Sequence, residues 1–319
     1  MNYRTLVLEP DNFSIRAKKV LLNFSQVDIG PLSRSELISN IPKYHILFVR
    51  LGQKIDKEVI NHGISLKVIA SATTGLNHID FEYAESKGVK IISLREERQF
   101  LNNIYATPEH TWALLLSLIR KIPQAFHHVL SDGWNRDLFR GTELAGKNIG
   151  IIGYGRIGKK IAVYANTFGM KVYVNDIDQS ELNEDIISIP LDKLLEISDV
   201  ITIHVPLNKS TKLLLDRDKI GKIKKGAIVL NTSRGEILDE SALLDALKSG
   251  AISGACLDVL TGESRLDKNW MVSDSLISYA KRNENLLITP HLGGNTYESM
   301  EKTEYFIAGK IKDYFNVHV

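Results

Sequence analysis

Cysteine is nearly absent from this chain: Cys256 stands alone among 319 residues. A single thiol excludes an intrachain disulfide and a cysteine-ligated metal cluster, and no metal site is expected. Long apolar runs are missing as well. None approaches the roughly 18 residues needed to span a bilayer, and MNYRTLVLEP at the start lacks the basic stretch and apolar core of a secretory signal. Charge of one sign is also lacking. Lys and Arg number 40 against 38 for Asp and Glu, a net charge of +2, too small and too evenly spread for a nucleic-acid or membrane surface. Low-complexity and proline-rich tails are absent. Together these absences point to a globular protein of the reducing cytoplasm.

What is present is ordinary in amount and ordered in pattern. The chain is 44% hydrophobic and 24% charged, and its length allows two domains. Short β-rich runs alternate with helical patterns: TLVLE (5–9), HILFVR (45–50), LKVIASA (66–72) and VKIISL (89–94), then KVYVND (171–176), VITIHVP (200–206), AIVLNTS (227–233), ISGACLDV (252–259) and LLITPH (286–291). Such alternation predicts parallel sheets covered by helices. Between the two sets lies a long helical pattern, 107–130, with Thr107 as its expected N-cap and Pro123 as an interruption. A last helix is expected over 296–315, crossing back to the first domain. The sequence ends at Val319, which is expected to leave no room for an appended regulatory domain.

The strand pattern NIGIIGYG runs into GYGRIG, residues 153–158, and a helix expected to end at Gly169. Gly153 would allow the tight turn, Gly155 the approach of a pyrophosphate, and Gly158 close packing of the helix. The helix N-terminus would then face the phosphates. The next strand ends at Asp176, 18 residues after Gly158. A carboxylate there accepts hydrogen bonds from ribose hydroxyls and repels a 2′-phosphate, and nothing basic follows in NDIDQSE. NAD is thus favoured over NADP.

The chemistry must come from loops at the carboxyl ends of later strands. Arg234 follows one strand, Asp258 and Glu263 the next, and His291 the last. A histidine can move a proton, a carboxylate can fix its tautomer and keep it basic, and an arginine can grip a carboxylate bidentately.

At these residues the chain resembles the D-isomer-specific 2-hydroxyacid dehydrogenases, the family that includes phosphoglycerate dehydrogenase. The resemblance is carried by TTGLNHID (73–80), ATPEHTWALLL (106–116), ELAGKNIGIIGYGRIGK (143–159), HVPLNKST (204–211), NTSRGEILDESAL (231–243), GACLDV (254–259) and TPHLGGNT (289–296). It implies an α/β fold of two Rossmann-like or flavodoxin-like domains. An NAD-binding domain, 105–290, would be inserted into a discontinuous substrate-binding domain, 1–104 plus 291–319, with the active site in the cleft.

It also implies roles. Arg234 would bind the substrate carboxylate, His291 would exchange a proton with the reacting oxygen, and Glu263 would pair with that imidazole. Asp258 would hold the nicotinamide carboxamide, with Thr232, Ser233, Gly293, Gly294 and Thr107 nearby. Arg156 and Ile157 would contact the pyrophosphate, and His204 and Pro206 would line the cofactor site. In the first domain, Thr74 and Gly75 would cup the substrate carboxylate, and Arg50 matches a position that can meet a substrate phosphate. The implied partners are a small 2-hydroxy or 2-oxo acid and a second copy of the chain. His127 and His128 read as a solvated pair and Cys256 as core.

The pattern is departed from at Thr261 and Ser264, where the family usually has an acidic residue and a proline, at Asn77, often aspartate, and in the longer 264–290 stretch. An NAD(H)-sensing interaction protein of the corepressor type is the alternative reading, since it can keep the same residues.

Overall fold

The computed structural model describes residues 3–9, 11–178, 186–263 and 270–317. The chain divides into two compact units, Met1–Ile104 with Asn295–Val319, and Tyr105–Gly294.

In the first unit the strands are β1 (Tyr3–Val7), β2 (Ser25–Ile29), β3 (Ile46–Val49), β4 (Val68–Ser71) and β5 (Lys90–Ser93). Among the described residues they form a parallel sheet in the order β2-β1-β3-β4-β5, the flavodoxin-like doubly wound order. Side chains alternate across the sheet. Leu6, Leu47 and Val49 enter one core, while Val7, Ile46 and Phe48 enter another on the opposite face. That double burial is why β3 reads as an unbroken apolar run, ILFV. The strand β2 escaped the sequence reading. Its SQVDI lies at the sheet edge and is only partly buried, so it needs no apolar run. The helix Tyr297–Val317 places Ile307, Ala308, Ile311 and Phe315 into the core on the Val7 face, a three-and-four spacing that lines one helical face.

In the second unit the strands are β6 (Asn148–Ile152), β7 (Lys171–Asn175), β8 (Ile187–Ser188), β9 (Val200–Ile203), β10 (Ala227–Asn231), β11 (Ile252–Leu257) and β12 (Leu286–Ile288). The sheet is parallel, in the order β12-β11-β10-β9-β6-β7-β8. The order reverses at β6, with β7 on one side and β9 on the other. The carboxyl ends of β6 and β9 therefore open the crevice in which doubly wound sheets bind ligands. The two-residue β8 is too short to leave a pattern in the sequence.

The helix leading into this unit spans Ala106–Ile119 with Tyr105 at its cap. It begins earlier than the Thr107 cap expected from sequence. Thr107 and Pro108 lie in the first turn, where a missing N–H forfeits no helical hydrogen bond. The interruption at Pro123 is real: Lys121 turns left-handed at φ 51°, and a new helix, Ile122–Leu130, starts with the proline in its first turn. The helix Arg156–Thr167 ends as expected, with Gly169 at φ 73° after the capping residue. Ser264, one of the departures noted above, lies outside the described residues, as does 179–181 of the NDIDQSE stretch. From Trp270 the long stretch forms two short helices, Trp270–Ser273 and Ser275–Ala280, before β12. No helix among the described residues is long and apolar enough to cross a membrane.

Candidate active site

The glycine loop follows β6 at the switch point. Gly153 has φ 95°, and a Cβ there would meet the His204 carbonyl oxygen at 2.7 Å; only glycine fits. Gly158 is equally constrained, since its Cβ would fall 2.1 Å from the Gly153 oxygen. Gly155 is different. It is the N-cap of Arg156–Thr167 with no side-chain cap, and a Cβ there would meet nothing within 4 Å.

The open space over Gly155 faces uncapped helix N–H groups that can hold a phosphate. Arg156 Nη1 is buried without a hydrogen-bond partner among the described residues, and burial lowers the guanidinium pKa. An anion would satisfy both. Asp176, at the end of β7, accepts the Tyr154 amide at 2.5 Å and the Asp178 amide at 2.8 Å. The carboxylate is thereby tied to the glycine loop at the carboxyl end of β7. Ile157 packs on the core beneath. These residues fit a dinucleotide.

His204 follows β9. Its Nε2 lies 2.8 Å from the Thr202 hydroxyl, and burial pushes its pKa down to about 3. A histidine kept neutral in this way is no proton carrier. Pro206 beyond it is exposed, and its carbonyl accepts the Thr211 hydroxyl at 2.6 Å.

After β10 the chain must turn at Arg234, a half-buried residue whose Nη1 donates to the Ser233 carbonyl at 2.6 Å. Asn231, fully buried, shapes that turn: its Oδ1 accepts the Ser233 amide at 3.0 Å and its Nδ2 donates to the Arg234 carbonyl at 2.8 Å. The Ser233 hydroxyl donates to the Ile203 carbonyl at 2.7 Å, linking the turn to β9. Thr232 Oγ1 is 2.8 Å from Thr111 Oγ1. Next comes Gly235, where a Cβ would lie 2.2 Å from the Thr261 nitrogen. This close approach brings the Arg234 turn against the loop carrying Glu263. Burial lowers the Arg234 pKa, while Glu263 and Glu236 oppose the shift. The loop is suspended from Glu240, which accepts the Thr261 amide at 2.6 Å; burial nonetheless raises the Glu240 pKa.

After β11, Asp258 is 1% exposed, and its carboxylate organises the last turn. Oδ1 accepts from Thr289 Oγ1 at 2.6 Å, the Leu292 amide at 2.7 Å and His110 Nε2 at 3.0 Å; Oδ2 accepts the Gly293 amide at 2.8 Å. Burial acts to raise its pKa, but these hydrogen bonds outweigh it and the net shift is downward. The protein thus fills most of the carboxylate expected to meet the carboxamide. Gly293 is closely packed here, since a Cβ would sit 3.0 Å from Asp258 Oδ2 and 3.4 Å from Thr107 Cγ2. Gly294 is exposed just beyond. His291 sits at φ 56°, and its Nδ1 lies 2.6 Å from Glu263 Oε1. A non-glycine residue in left-handed backbone is uncommon and persists where its surroundings hold it there. Arg234, Glu263 and His291 are therefore assembled on adjacent loops of one unit.

In the first unit, Thr74 is exposed and Gly75 half-buried after β4. The loop is shaped by Thr73, whose hydroxyl donates to the Gly75 carbonyl at 2.9 Å and whose carbonyl accepts the Leu94 amide at 3.1 Å. Arg50, after β3, is already engaged. Its Nε donates to Glu304 at 3.0 Å, Nη2 also meets Glu304, and Nη1 donates to the Asp11 carbonyl at 2.9 Å. Glu304 is fully buried, with its pKa raised by that burial.

The residues missed from sequence are Asn231, Glu240 and His110. Each lies inside or beside a motif already singled out, but its role depends on a partner far away in the chain. His127 is exposed and Cys256 is buried in the core, as expected, but His128 is half-buried rather than solvated: its Nε2 accepts the Asn135 amide at 3.3 Å and its ring packs on Phe139.

A parallel doubly wound sheet with this loop, this acidic strand end and this histidine–carboxylate pair defines a nucleotide-dependent oxidoreductase architecture. The sequence profile of the D-isomer specific 2-hydroxyacid dehydrogenase NAD binding domain matches residues 112–293. The chain is 33% identical over 311 residues to the hydroxypyruvate reductase of Thermotoga maritima, covering 97% of each. It is 37% identical over 296 residues to the D-3-phosphoglycerate dehydrogenase of Bacillus subtilis, covering 92% of this chain and 54% of that one. The chain spans about half the length of the curated D-3-phosphoglycerate dehydrogenases it matches. Among solved structures, the D-lactate dehydrogenase of Aquifex aeolicus complexed with NAD and lactic acid has a TM-score of 0.83 at 27% identity, covering 98% and 95% of the two chains. The chain belongs to the D-isomer specific 2-hydroxyacid dehydrogenase family, and its cofactor is NAD.

Proposed function

We propose that the protein interconverts a small D-2-hydroxy acid and its 2-oxo acid. The observation that carries this reading is the 2.6 Å contact of His291 Nδ1 with Glu263 Oε1 beside the Arg234 turn. NAD supplies the hydride acceptor in one direction and, reduced, the donor in the other. With Nδ1 held by Glu263, Nε2 of His291 takes the hydroxyl proton on oxidation and returns it to the carbonyl oxygen on reduction. Arg234 grips the substrate carboxylate through its planar fork. Asp258 shapes the nicotinamide pocket through the turn it holds, with Thr107, Thr232, Ser233, Gly293 and Gly294 around it; Gly153, Gly155, Arg156, Ile157 and Gly158 hold the pyrophosphate; and Asp176 holds the ribose.

The unit Tyr105–Gly294 serves as the NAD-binding domain, and the other as the substrate-binding domain, whose Thr74 and Gly75 amides meet the substrate carboxylate. Arg50 takes no part, because Glu304 and Asp11 already engage it. The protein works as a cytoplasmic homodimer; Phe126, Leu130 and Trp134, all exposed, supply an apolar surface for the second copy, and a monomer mass by light scattering at micromolar concentration would refute that assembly. NADH oxidation against hydroxypyruvate, pyruvate and other 2-oxo acids tests the activity. Tight NADH binding with no turnover across the panel overturns it.

A further inference from the structure

The turn that carries His291 is fixed amide by amide. The His291 amide donates to the Asp258 carbonyl at 2.9 Å, and the next two amides, of Leu292 and Gly293, donate to the Asp258 carboxylate. A non-glycine residue stays left-handed only where its surroundings over-determine it, and here one aspartate does so. The aim of the imidazole therefore depends on the aim of that carboxylate.

What aims the carboxylate comes from two places. Thr289 belongs to the turn itself, so its hydrogen bond cannot tie the turn to the rest of the unit. His110 can. It comes from the helix Ala106–Ile119, whose Trp112, Leu114 and Leu115 are buried in the core, and its Nε2 reaches Asp258 Oδ1 at 3.0 Å and Thr289 Oγ1 at 3.1 Å. The next residue, Thr111, meets Thr232 on the segment leading to Arg234. One helical turn thus braces both the histidine turn and the arginine turn.

We propose that His110 is a positioning residue that, through Asp258, holds His291 in the orientation proton transfer requires. The proposal rests on His291 being the proton carrier, and the experiment separates the two claims. His110→Met fills the space without a donor, whereas glutamine places an amide N–H near the position of Nε2. With hydroxypyruvate and NADH, His110→Met should lower kcat by about 10- to 100-fold, the scale of a misplaced catalytic group. NADH affinity by calorimetry should stay within about threefold, as expected when only an interaction made in the transition state is lost. His110→Gln should recover most of kcat. In a His291→Ala background, His110→Met should cost nothing further. Unchanged kcat in His110→Met overturns the proposal, as does an equal loss in the His291→Ala background or a loss that His110→Gln fails to rescue. If His291→Ala itself keeps wild-type kcat, the proton-carrier role falls instead.

Discussion

Nδ1 of His291 lies 2.6 Å from Oε1 of Glu263, and Oε2 of the same carboxylate accepts the Leu260 amide at 3.2 Å. The backbone bond fixes the carboxylate in place, so its charge acts on the imidazole from a set direction. Glu263→Gln keeps the shape but replaces the charge-assisted hydrogen bond to Nδ1 with a weaker neutral one, so the imidazole is held less firmly. Both reduction and oxidation should lose about 10- to 100-fold in kcat, with NADH affinity little changed. Unchanged kcat in both directions would mean that the pair does not act as one.

Asp176→Ala should weaken NAD binding and narrow the preference for NAD over NADP, by about tenfold if one good hydrogen-bond partner worth about 1.4 kcal/mol is lost. The mutant also frees the Tyr154 amide, so the glycine loop loosens. Equal NAD/NADP ratios in wild type and mutant would place the ribose elsewhere.

Gly155→Ala and Gly158→Ala should part company. The first adds a methyl to open space and should leave thermal stability near wild type while weakening NAD binding. The second drives a methyl against the Gly153 carbonyl and should cost about 1–3 kcal/mol of stability. Calorimetric melting of the two apo-proteins is the check; equal midpoints would contradict it.

His204 is neutral in the fold, with its pKa lowered from 6.5 to about 3. Between those values the unfolded chain binds a proton that the folded chain does not. Stability therefore rises with pH through that window and is fully present above it. His204→Gln should show a shallower fall in melting temperature from pH 7 to pH 5. Parallel curves would show that the ring is solvated after all.

The sheets, the glycine loop and the three candidate catalytic residues were legible because each leaves a local mark: β3 in four apolar residues, Gly153 and Gly158 in steric demands, Arg234 and His291 in their places after strands. What escaped was relational. Asn231 reads as a strand-end polar residue until its own turn closes over it, and His110 reads as one more helix residue until Asp258, 148 positions later, meets it. Arg50 was legible as a cation but not as an occupied one, since Glu304 arrives from the other end of the chain.

That late arrival has a consequence during synthesis. The core built by Val7, Phe48 and Val68 is completed by Ile307, Ile311 and Phe315, so the ribosome must make the whole of the intervening unit before the earliest strands can be sealed. Residues 105–294, contiguous in sequence, can fold as they emerge. The first hundred residues must wait with part of one apolar face uncovered, which makes that face, and not the unit 105–294, the place where a nascent chain would need protection.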